Sequence, residues 1–188
     1  MYSDTQKTGI RKTLGILLGI IMVMLSLIFL NYVTRDVALS AEQAAKLGYI
    51  RFEQPRNITV PRLVTEQDEQ ILPTHFQGQW DLLYFGFTAC PDICPTTLAV
   101  LNQALSTVEI PPRVHLVSVD PEQDTPAQLA RYLAGFNLAF LGVTGSHDQI
   151  TQLATQLNVA FGKVPGPELG SYTVDHTGSI VVLDKTGR

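Results

Sequence analysis

A long apolar run near the N-terminus divides this chain into two parts that must fold in different surroundings. Residues 14–30 read LGILLGIIMVMLSLIFL without a charged side chain, and the apolar character continues to Val33. As a helix, residues 14–33 would extend about 30 Å at about 1.5 Å per residue, which matches the hydrocarbon core of a bilayer. The run therefore predicts one N-terminal transmembrane helix over residues 14–33, after a short segment at residues 1–13.

Charges on either side of this helix predict its orientation. Lys7, Arg11 and Lys12 precede it, whereas Arg35 and Asp36 follow it. Positive residues stay on the cytoplasmic side, so we expect a cytoplasmic N-terminus and a domain on the far side of the membrane. A cleaved signal peptide is the alternative, but its apolar region is shorter, about 7 to 15 residues, with small residues close behind. The sequence NYVTRD that follows favours an uncleaved, single-pass anchor.

The remainder of the chain is acidic. The sequence holds 13 Lys+Arg and 17 Asp+Glu, of which three and one lie in the first 33 residues, so 10 and 16 remain. This excess of negative charge offers no electrostatic surface for nucleic acid, and we expect no nucleic-acid partner. We expect a polar tether over residues 34–55 and a single domain over residues 56–188.

Apolar runs alternate with helical patterns in residues 56–188, which predicts an α/β domain. The runs WDLLYFGF, RVHLVSV and LAFLGV are typical of strands, the first of them buried on both faces. Helices are expected over about residues 95–108 and after Thr125 and Ser146, each an N-cap in a capping box. A Pro/Gly-rich loop, GKVPGPELG, then leads to SYTV and SIVVLD, predicted to form a hairpin around the turn DHTG.

The two cysteines, Cys90 and Cys94, lie in the segment TACPDICPTTL between a predicted strand and a predicted helix. An inert disulfide is a weak explanation, because closing so short a loop constrains the unfolded chain little. The N-terminus of a helix stabilises a thiolate, so the sequence predicts a lowered pKa for the Cys94 thiol. Thiolates attack disulfides and bind metals, and at this point redox chemistry and metal binding both remain open.

Two converging thiolates suit copper(I), but two ligands are few, and a third should be sought. The three methionines lie at the start of the chain or inside the apolar run, which leaves four histidines. His75, His115 and His147 are expected to have surface or packing roles. His176 differs, because it lies in the predicted hairpin turn at a strand end, where loops can meet the cysteine loop. Zinc is less suited, since it generally takes a fourth ligand.

Three segments, YFGFTACPDICPTTL, LVSVDPEQDTPAQLARYL and YTVDHTGSIVVLD, closely resemble the Sco/SenC family of membrane-anchored proteins of cytochrome c oxidase assembly. The resemblance implies a thioredoxin-like fold, a mixed sheet flanked by helices, over roughly residues 55–188. It also implies a copper site formed by Cys90, Cys94 and His176.

The resemblance extends to acidic residues near these motifs. Asp120 and Asp124 match the acidic loop of the family, and Asp175 matches the acid beside its histidine. They are interpreted as supporting or docking residues, with solvated loop carboxylates as the alternative. Family members continue past the final DKTGR with a further strand and a terminal helix, so an incomplete C-terminus is one expectation.

The function that the resemblance implies is that of a copper chaperone and not of an enzyme. Such a protein would bind Cu(I) or Cu(II) and help to install copper in the dinuclear centre of cytochrome c oxidase subunit II. Other periplasmic copper carriers and thiol reductants are further expected partners. The alternative is an exported thiol–disulfide oxidoreductase, in which Cys90 or Cys94 attacks and the other resolves the mixed disulfide. His176 separates the two hypotheses, because thiol exchange needs two cysteines whereas trigonal copper binding also needs the histidine.

Overall fold

The structure is a computed structural model, and it describes residues 4–34, 40–50, 52, 54–168 and 170–188. Residues 35–39, 51 and 53 of the predicted tether, and residues 1–3, lie outside the described residues. The chain forms two units, which are Met1–Glu53 and Gln54–Arg188.

The first unit contains two helices among its described residues. Helix α1 covers Asp4–Thr34, and within it Arg11–Val33 has a mean hydropathy of 2.7, so it is long and apolar enough to cross a membrane. Helix α2 covers Ala41–Lys46 and begins at Ser40, whose side chain accepts a hydrogen bond from the Gln43 backbone. The predicted apolar helix is therefore present, and part of the predicted tether is helical.

The second unit contains a central sheet and a separate two-stranded sheet. The strands are β1 Val64–Thr65, β2 Asp81–Gly86, β3 Arg113–Ser118, β4 Leu141–Thr144, β5 Phe161–Pro165, β6 Tyr172–His176 and β7 Ile180–Leu183. The central sheet has the order β1-β4-β3-β2-β7. Strands β2, β3 and β4 are parallel, whereas β1 and β7 are antiparallel to their neighbours. The predicted mixed sheet is confirmed.

Helices flank this sheet and supply much of its core. They are α3 Ile93–Leu105, α4 Pro126–Ala134 and α5 His147–Gln156. Each buries apolar side chains in the cluster that the central strands form, and Leu98, Leu129 and Ile150 are fully buried. Strand β2 is nearly continuous in apolar residues because both of its faces are covered.

The helix starts follow the capping chemistry in the sequence. The Thr125 side chain accepts a hydrogen bond from the Gln128 backbone, which confirms the predicted N-cap. The reciprocal half of that capping box does not form, because the Gln128 amide lies instead 3.4 Å from Thr88 Oγ1. Ser146 and Gln149 form the complete box that the sequence predicts.

The predicted C-terminal hairpin is wrong. Strand β6 does not pair with β7; it pairs with β5, with Phe161 opposite His176. Strand β7 joins the central sheet, antiparallel to β2. Most of β5 lies in the segment interpreted as a Pro/Gly-rich loop, and its proline, Pro165, is tolerated because it is the last residue of a strand in a two-stranded sheet. His176 is therefore the last residue of a strand and not a turn residue.

A buried ion cluster lies at the start of β2. The Asp81 side chain is fully buried, and it accepts hydrogen bonds from Arg113 Nε at 2.6 Å and His115 Nε2 at 2.8 Å. Burial by itself would raise the pKa of Asp81, but the hydrogen bonds from His115 and Arg113 outweigh it and hold that pKa below its usual value. His115 thus has the packing role that the sequence predicts.

Replacing Asp81 with alanine measures the contribution of this cluster to the stability of the fold. We expect Asp81→Ala to lower the free energy of unfolding at pH 7 by about 3–5 kcal/mol, because Arg113 is left as a largely buried charge without its partner. Since the folded pKa is lowered, the stabilisation by Asp81 is complete above the unfolded value of 3.8 and is lost as the pH falls through the folded pKa. The free energies of unfolding of wild type and Asp81→Ala should therefore approach each other as the pH falls. Urea unfolding followed by the fluorescence of Trp80, the single tryptophan, measures both effects.

The control variant is Glu109→Ala, which removes an exposed carboxylate. We expect its free energy of unfolding to stay within about 0.5 kcal/mol of wild type. An equal loss in the two variants, or a loss for Asp81→Ala that does not depend on pH, would contradict the role assigned to Asp81.

Candidate metal centre

The two cysteines lie where the central strand β2 passes into helix α3. Cys90 is in the connecting loop, and Cys94 is the second residue of the helix. The Asp92 side chain makes no capping hydrogen bond, and the Cys94 backbone N–H instead lies 3.4 Å from Cys90 Sγ. Both thiols are free and buried, with Cys94 fully inaccessible and Cys90 8% exposed. The strand end and the helix start therefore hold the two sulfurs together.

The predicted lowering of the Cys94 pKa is wrong. Burial, and to a lesser extent the neighbouring Cys90 side chain, together raise the pKa of this thiol to about 12. Interactions with the Phe87 backbone and with Tyr84 lower the pKa of Cys94, but they are weaker than the effect of burial. The sequence argument considered the helix N-terminus and could not include the desolvation of a side chain enclosed by the core. Without a cation beside it, Cys94 is a neutral thiol at pH 7.

His176 reaches the cysteines from the other sheet. Its Nε2 lies 3.5 Å from Cys94 Sγ, although the two residues are 82 positions apart in sequence. Its Nδ1 lies 3.3 Å from the Thr177 carbonyl, which can only accept, so Nδ1 carries the proton and the Nε2 lone pair faces the sulfur. The imidazole is edge-on to the rings of Tyr84 and Phe87, with centroids 6.0 and 6.1 Å away. This tautomer is the one that a metal bound at Nε2 requires.

The three donor atoms fit one metal ion. The sulfurs of Cys90 and Cys94 and a ring nitrogen of His176 all lie within 4.8 Å of one another. Bonds from a metal such as zinc to sulfur and nitrogen are about 2.3 and 2.0 Å, so three donors around one such ion lie roughly 3.5–4.5 Å apart. Two thiolates and an imidazole form a soft donor set. Such a set binds copper in preference to hard cations such as Mg²⁺.

A buried aspartate holds the cysteine loop. Asp124 is fully buried, and it accepts hydrogen bonds from Thr88 Oγ1 at 2.6 Å and from Ser118 Oγ at 2.7 Å. The Thr88 backbone N–H also donates to Asp124, at 3.2 Å. Thr88 precedes Cys90 in the same loop, so Asp124 connects that loop to the end of β3. Its carboxylate is a structural anchor and not a solvated loop acid.

A second acid holds the histidine hairpin. Asp120 is 3% exposed and accepts a hydrogen bond from the Tyr172 hydroxyl of β6 at 3.0 Å. Lys163 of β5 lies 2.6 Å from Glu122 and 4.3 Å from the centre of the Tyr172 ring. The loop after β3 therefore contacts both segments that carry the donor atoms, the cysteine loop through Asp124 and the β5–β6 hairpin through these contacts.

The other histidines and Asp175 do not belong to the cluster of three donors. In the described part of the chain, the donor cluster includes His176 and no other histidine. The His147 ring packs edge-on against Phe161, and His75 packs against His115. Asp175 is exposed, and with His176 it lines an open groove of about 430 Å³ on the hairpin. Its exposed carboxylate therefore belongs to the surface of the hairpin.

Sequence reasoning missed Gly86 and Tyr84. A Cβ placed on Gly86 would lie 3.1 Å from Cys94 Sγ, from Leu116 Cδ1 and from Tyr84 Cε1. Gly86 is the last residue of β2, so the absence of a side chain there leaves room for the sulfur. The single signal in the sequence was a glycine and a tyrosine inside a strand that is otherwise apolar.

Fold and site together define a thioredoxin-like domain with a Cys–Cys–His cluster at the start of a core helix. Residues 55–188 match the SCO1/SenC family model, and the chain belongs to the SCO1/SenC family. This confirms the resemblance seen in the three sequence segments.

Several known proteins are similar to this chain, and some of them are described with copper or with oxidase assembly. The bovine mitochondrial SCO2 homologue is 45% identical over 117 residues, which are 60% of this chain and 44% of that protein. The chain thus spans less than half the length of this curated relative. Bradyrhizobium japonicum ScoI with copper bound is 34% identical, with a TM-score of 0.61 over 68% of this chain and 83% of that one. BsSco, described as having a disulfide switch and belonging to a family of cytochrome c oxidase assembly proteins, is 26% identical, with a TM-score of 0.52 over 66% and 75% of the two chains.

A methyl group at Gly86 should disturb the cysteine pair. We expect Gly86→Ala to lower the free energy of unfolding by about 1–3 kcal/mol, because the new Cβ crowds Cys94 Sγ and Leu116 in a packed core. Gly162→Ala is the matched control, since a Cβ on this strand glycine meets nothing within 4 Å. Urea unfolding measures both variants. Equal stability of the two proteins would show that the sulfur is not confined as described.

Proposed function

We propose that this chain is a membrane-anchored copper carrier of cytochrome c oxidase assembly that holds copper between Cys90, Cys94 and His176. The observation that carries the proposal is the approach of these three donor atoms to within 4.8 Å of one another. The similarity to Bradyrhizobium japonicum ScoI, a structure with copper bound, supports copper as the metal. Soft thiolates favour Cu(I), and the imidazole also suits Cu(II), so one site can hold both oxidation states.

Copper is the cargo of this site. Both cysteines bind as thiolates, so loading the ion releases their protons, and the positive charge of the metal replaces them in the buried site. Two donors come from the loop after β2 and from α3, whereas the third comes from the separate β5–β6 sheet. Unloading by ligand exchange can therefore begin at His176, which lies beside the open groove and is less buried than the cysteines.

We propose the dinuclear copper centre of oxidase subunit II as the acceptor. The description of BsSco as a member of a family of cytochrome c oxidase assembly proteins supports this class of partner. Helix α1 would anchor the chain in the inner membrane, with the N-terminus in the cytoplasm and the copper domain in the periplasm. Confinement to the membrane raises the effective concentration of the carrier near a membrane-bound oxidase. Other periplasmic copper carriers and thiol reductants would load and reduce the site.

A thiol–disulfide oxidoreductase is the second candidate. It is favoured by two free thiols with sulfurs within 4.8 Å, and by the description of BsSco as having a disulfide switch. It is opposed by the raised pKa of Cys94, which leaves little thiolate for attack at pH 7. Copper and a disulfide exclude each other, so exchange would belong to the copper-free protein.

Titration of the reduced full chain with copper in detergent micelles tests the site. We expect wild type to show intense thiolate-to-copper(II) absorption, and we expect both His176→Ala and Cys94→Ser to lose more than about 100-fold in affinity. Loss of residues that merely support a ligand already costs about 10–100-fold. His147→Ala is the control, since its ring packs against Phe161. Wild-type affinity in His176→Ala would reject the copper carrier and favour the oxidoreductase.

Delivery and anchoring can be tested together in cells that lack this chain. We expect the full chain to restore copper in subunit II, measured by the optical and magnetic spectra of the dinuclear centre in purified oxidase. His176→Ala should fail because the copper site is incomplete. A chain without residues 1–33 should also fail because it stays in the cytoplasm. Restoration by the shortened chain would contradict the proposed export and anchoring.

A further inference from the structure

Beneath the three donors lies a tyrosine hydroxyl that the copper site as described does not use. The Tyr84 side chain is fully buried in the middle of β2. Among the residues that the structure describes, none makes a hydrogen bond of ordinary geometry to its Oη. A buried phenol without such a bond is costly, since an unsatisfied polar group loses its water and gains nothing in return. Phenylalanine would fill the same space without that cost.

The phenol lies against two of the proposed ligands. A Cβ placed on Gly86 would lie 3.1 Å from both Cys94 Sγ and Tyr84 Cε1, so these two side chains border the same small space. The Tyr84 ring is also edge-on to the His176 ring, with centroids 6.0 Å apart. The buried Tyr84 ring, and with it a hydroxyl that is unpaired among the described residues, therefore lies beside both Cys94 and His176.

Two side chains interact with this hydroxyl although neither reaches ordinary hydrogen-bond geometry. They are Cys94 and Thr97, the latter one turn further along α3. Burial is the main cause of the raised pKa of Tyr84; contact with Cys94 raises it further, as expected when Tyr84 donates, whereas contact with Thr97 lowers it, as expected when Thr97 donates. The contact between Tyr84 and Cys94 lowers the pKa of the Cys94 thiol, which is again the effect of a donor on a thiolate. These directions agree with an arrangement in which Thr97 orients the Tyr84 hydroxyl as a donor to the sulfur.

We propose that Tyr84 Oη donates a hydrogen bond to the Cys94 thiolate in the copper-loaded protein, and that this bond sets the preference of the site for Cu(I) over Cu(II). This inference rests on the copper function proposed above. Tyr84 acts through Cys94 and does not touch the ion, so it is a positioning and tuning residue and not a ligand.

The direction of the effect follows from charge. A hydrogen bond to the sulfur withdraws electron density from the metal–thiolate bond. Copper(II), with the higher charge, gains more than copper(I) from an electron-rich thiolate, so the hydrogen bond costs Cu(II) more. The tyrosine therefore favours the reduced, cuprous form. Its removal should strengthen Cu(II) binding relative to Cu(I).

The experiment compares two buried phenols in the full chain in detergent micelles. Tyr84→Phe removes the proposed donor. Tyr132→Phe is the matched control, because its hydroxyl is also buried without an ordinary hydrogen bond among the described residues, but its ring packs against Phe136. Burial is the main cause of the raised pKa of Tyr132; a Cys94 thiolate adds to it through space, without a hydrogen bond to the sulfur. Competition with Cu(I) and Cu(II) chelators measures each affinity, and absorption spectra locate the thiolate-to-copper(II) band.

For Tyr84→Phe we expect the ratio of Cu(I) to Cu(II) affinity to fall about tenfold, equivalent to a reduction potential lower by about 59 mV. The thiolate-to-copper(II) band should move to longer wavelength, because the sulfur becomes more electron-rich. Tyr132→Phe should match wild type in both measurements. Thr97→Val, which removes only the group that directs the hydroxyl, should shift both in the same direction by a smaller amount.

The outcomes separate this inference from the function on which it rests. A wild-type chain that binds neither oxidation state of copper overturns the proposed function. A wild type that binds copper, together with a Tyr84→Phe protein whose affinity ratio and band are unchanged, overturns the role of Tyr84 alone. Equal shifts in Tyr84→Phe and Tyr132→Phe would also overturn it, since they would report a general effect of losing a buried phenol. If Tyr84→Phe fails to fold, an unchanged affinity ratio and band in Thr97→Val overturns the role of Tyr84 in the same way.

Discussion

The approach of His176 Nε2 to Cys94 Sγ, at 3.5 Å, is the contact on which the candidate centre depends. Cys94 lies in helix α3 and His176 at the end of β6, and no single element of secondary structure brings the two atoms together. The contact exists because the loop after β3 binds both sides, through Asp124 to the cysteine loop and through Asp120 to Tyr172 of the hairpin. The geometry of the donors is thus a property of tertiary hydrogen bonds and not of the CPDICP motif by itself.

The environment of the donors explains why such a site would need its metal. Cys94 is fully buried, and its raised pKa shows that desolvation outweighs the favourable end of the helix. A cation at the centre would supply the missing charge compensation, because a coordinated thiol loses its proton outright. The same burial that weakens Cys94 as a free nucleophile would also protect a metal-binding pair from unwanted thiol chemistry. The proposed copper binding and the weak reactivity of the Cys94 thiol would then have one physical cause.

The two ends of the central strands β2 and β3 carry different kinds of polar residues. The carboxyl ends of β2 and β3 lead to Cys90 and to Asp120 and Asp124, as expected for ligand sites at the carboxyl ends of parallel strands. The opposite ends of the same strands carry Asp81 and Arg113, whose ion pair is buried and apart from the donors. Polar groups at the two ends therefore have different tasks although they lie on the same two strands.

Much of this protein follows from local sequence. The apolar run determined a membrane-length helix, the alternation of strands and capped helices determined a mixed α/β sheet, and the motifs led to the donors Cys90, Cys94 and His176. These features depend on periodicity, capping and residue chemistry, which neighbouring residues specify. Tertiary structure alone decided the pairing of β5 with β6, the burial that raises the Cys94 pKa, and the closeness of Tyr84 to Cys94 around Gly86. Strand partners and desolvation depend on residues distant in sequence, so no local pattern could have revealed them.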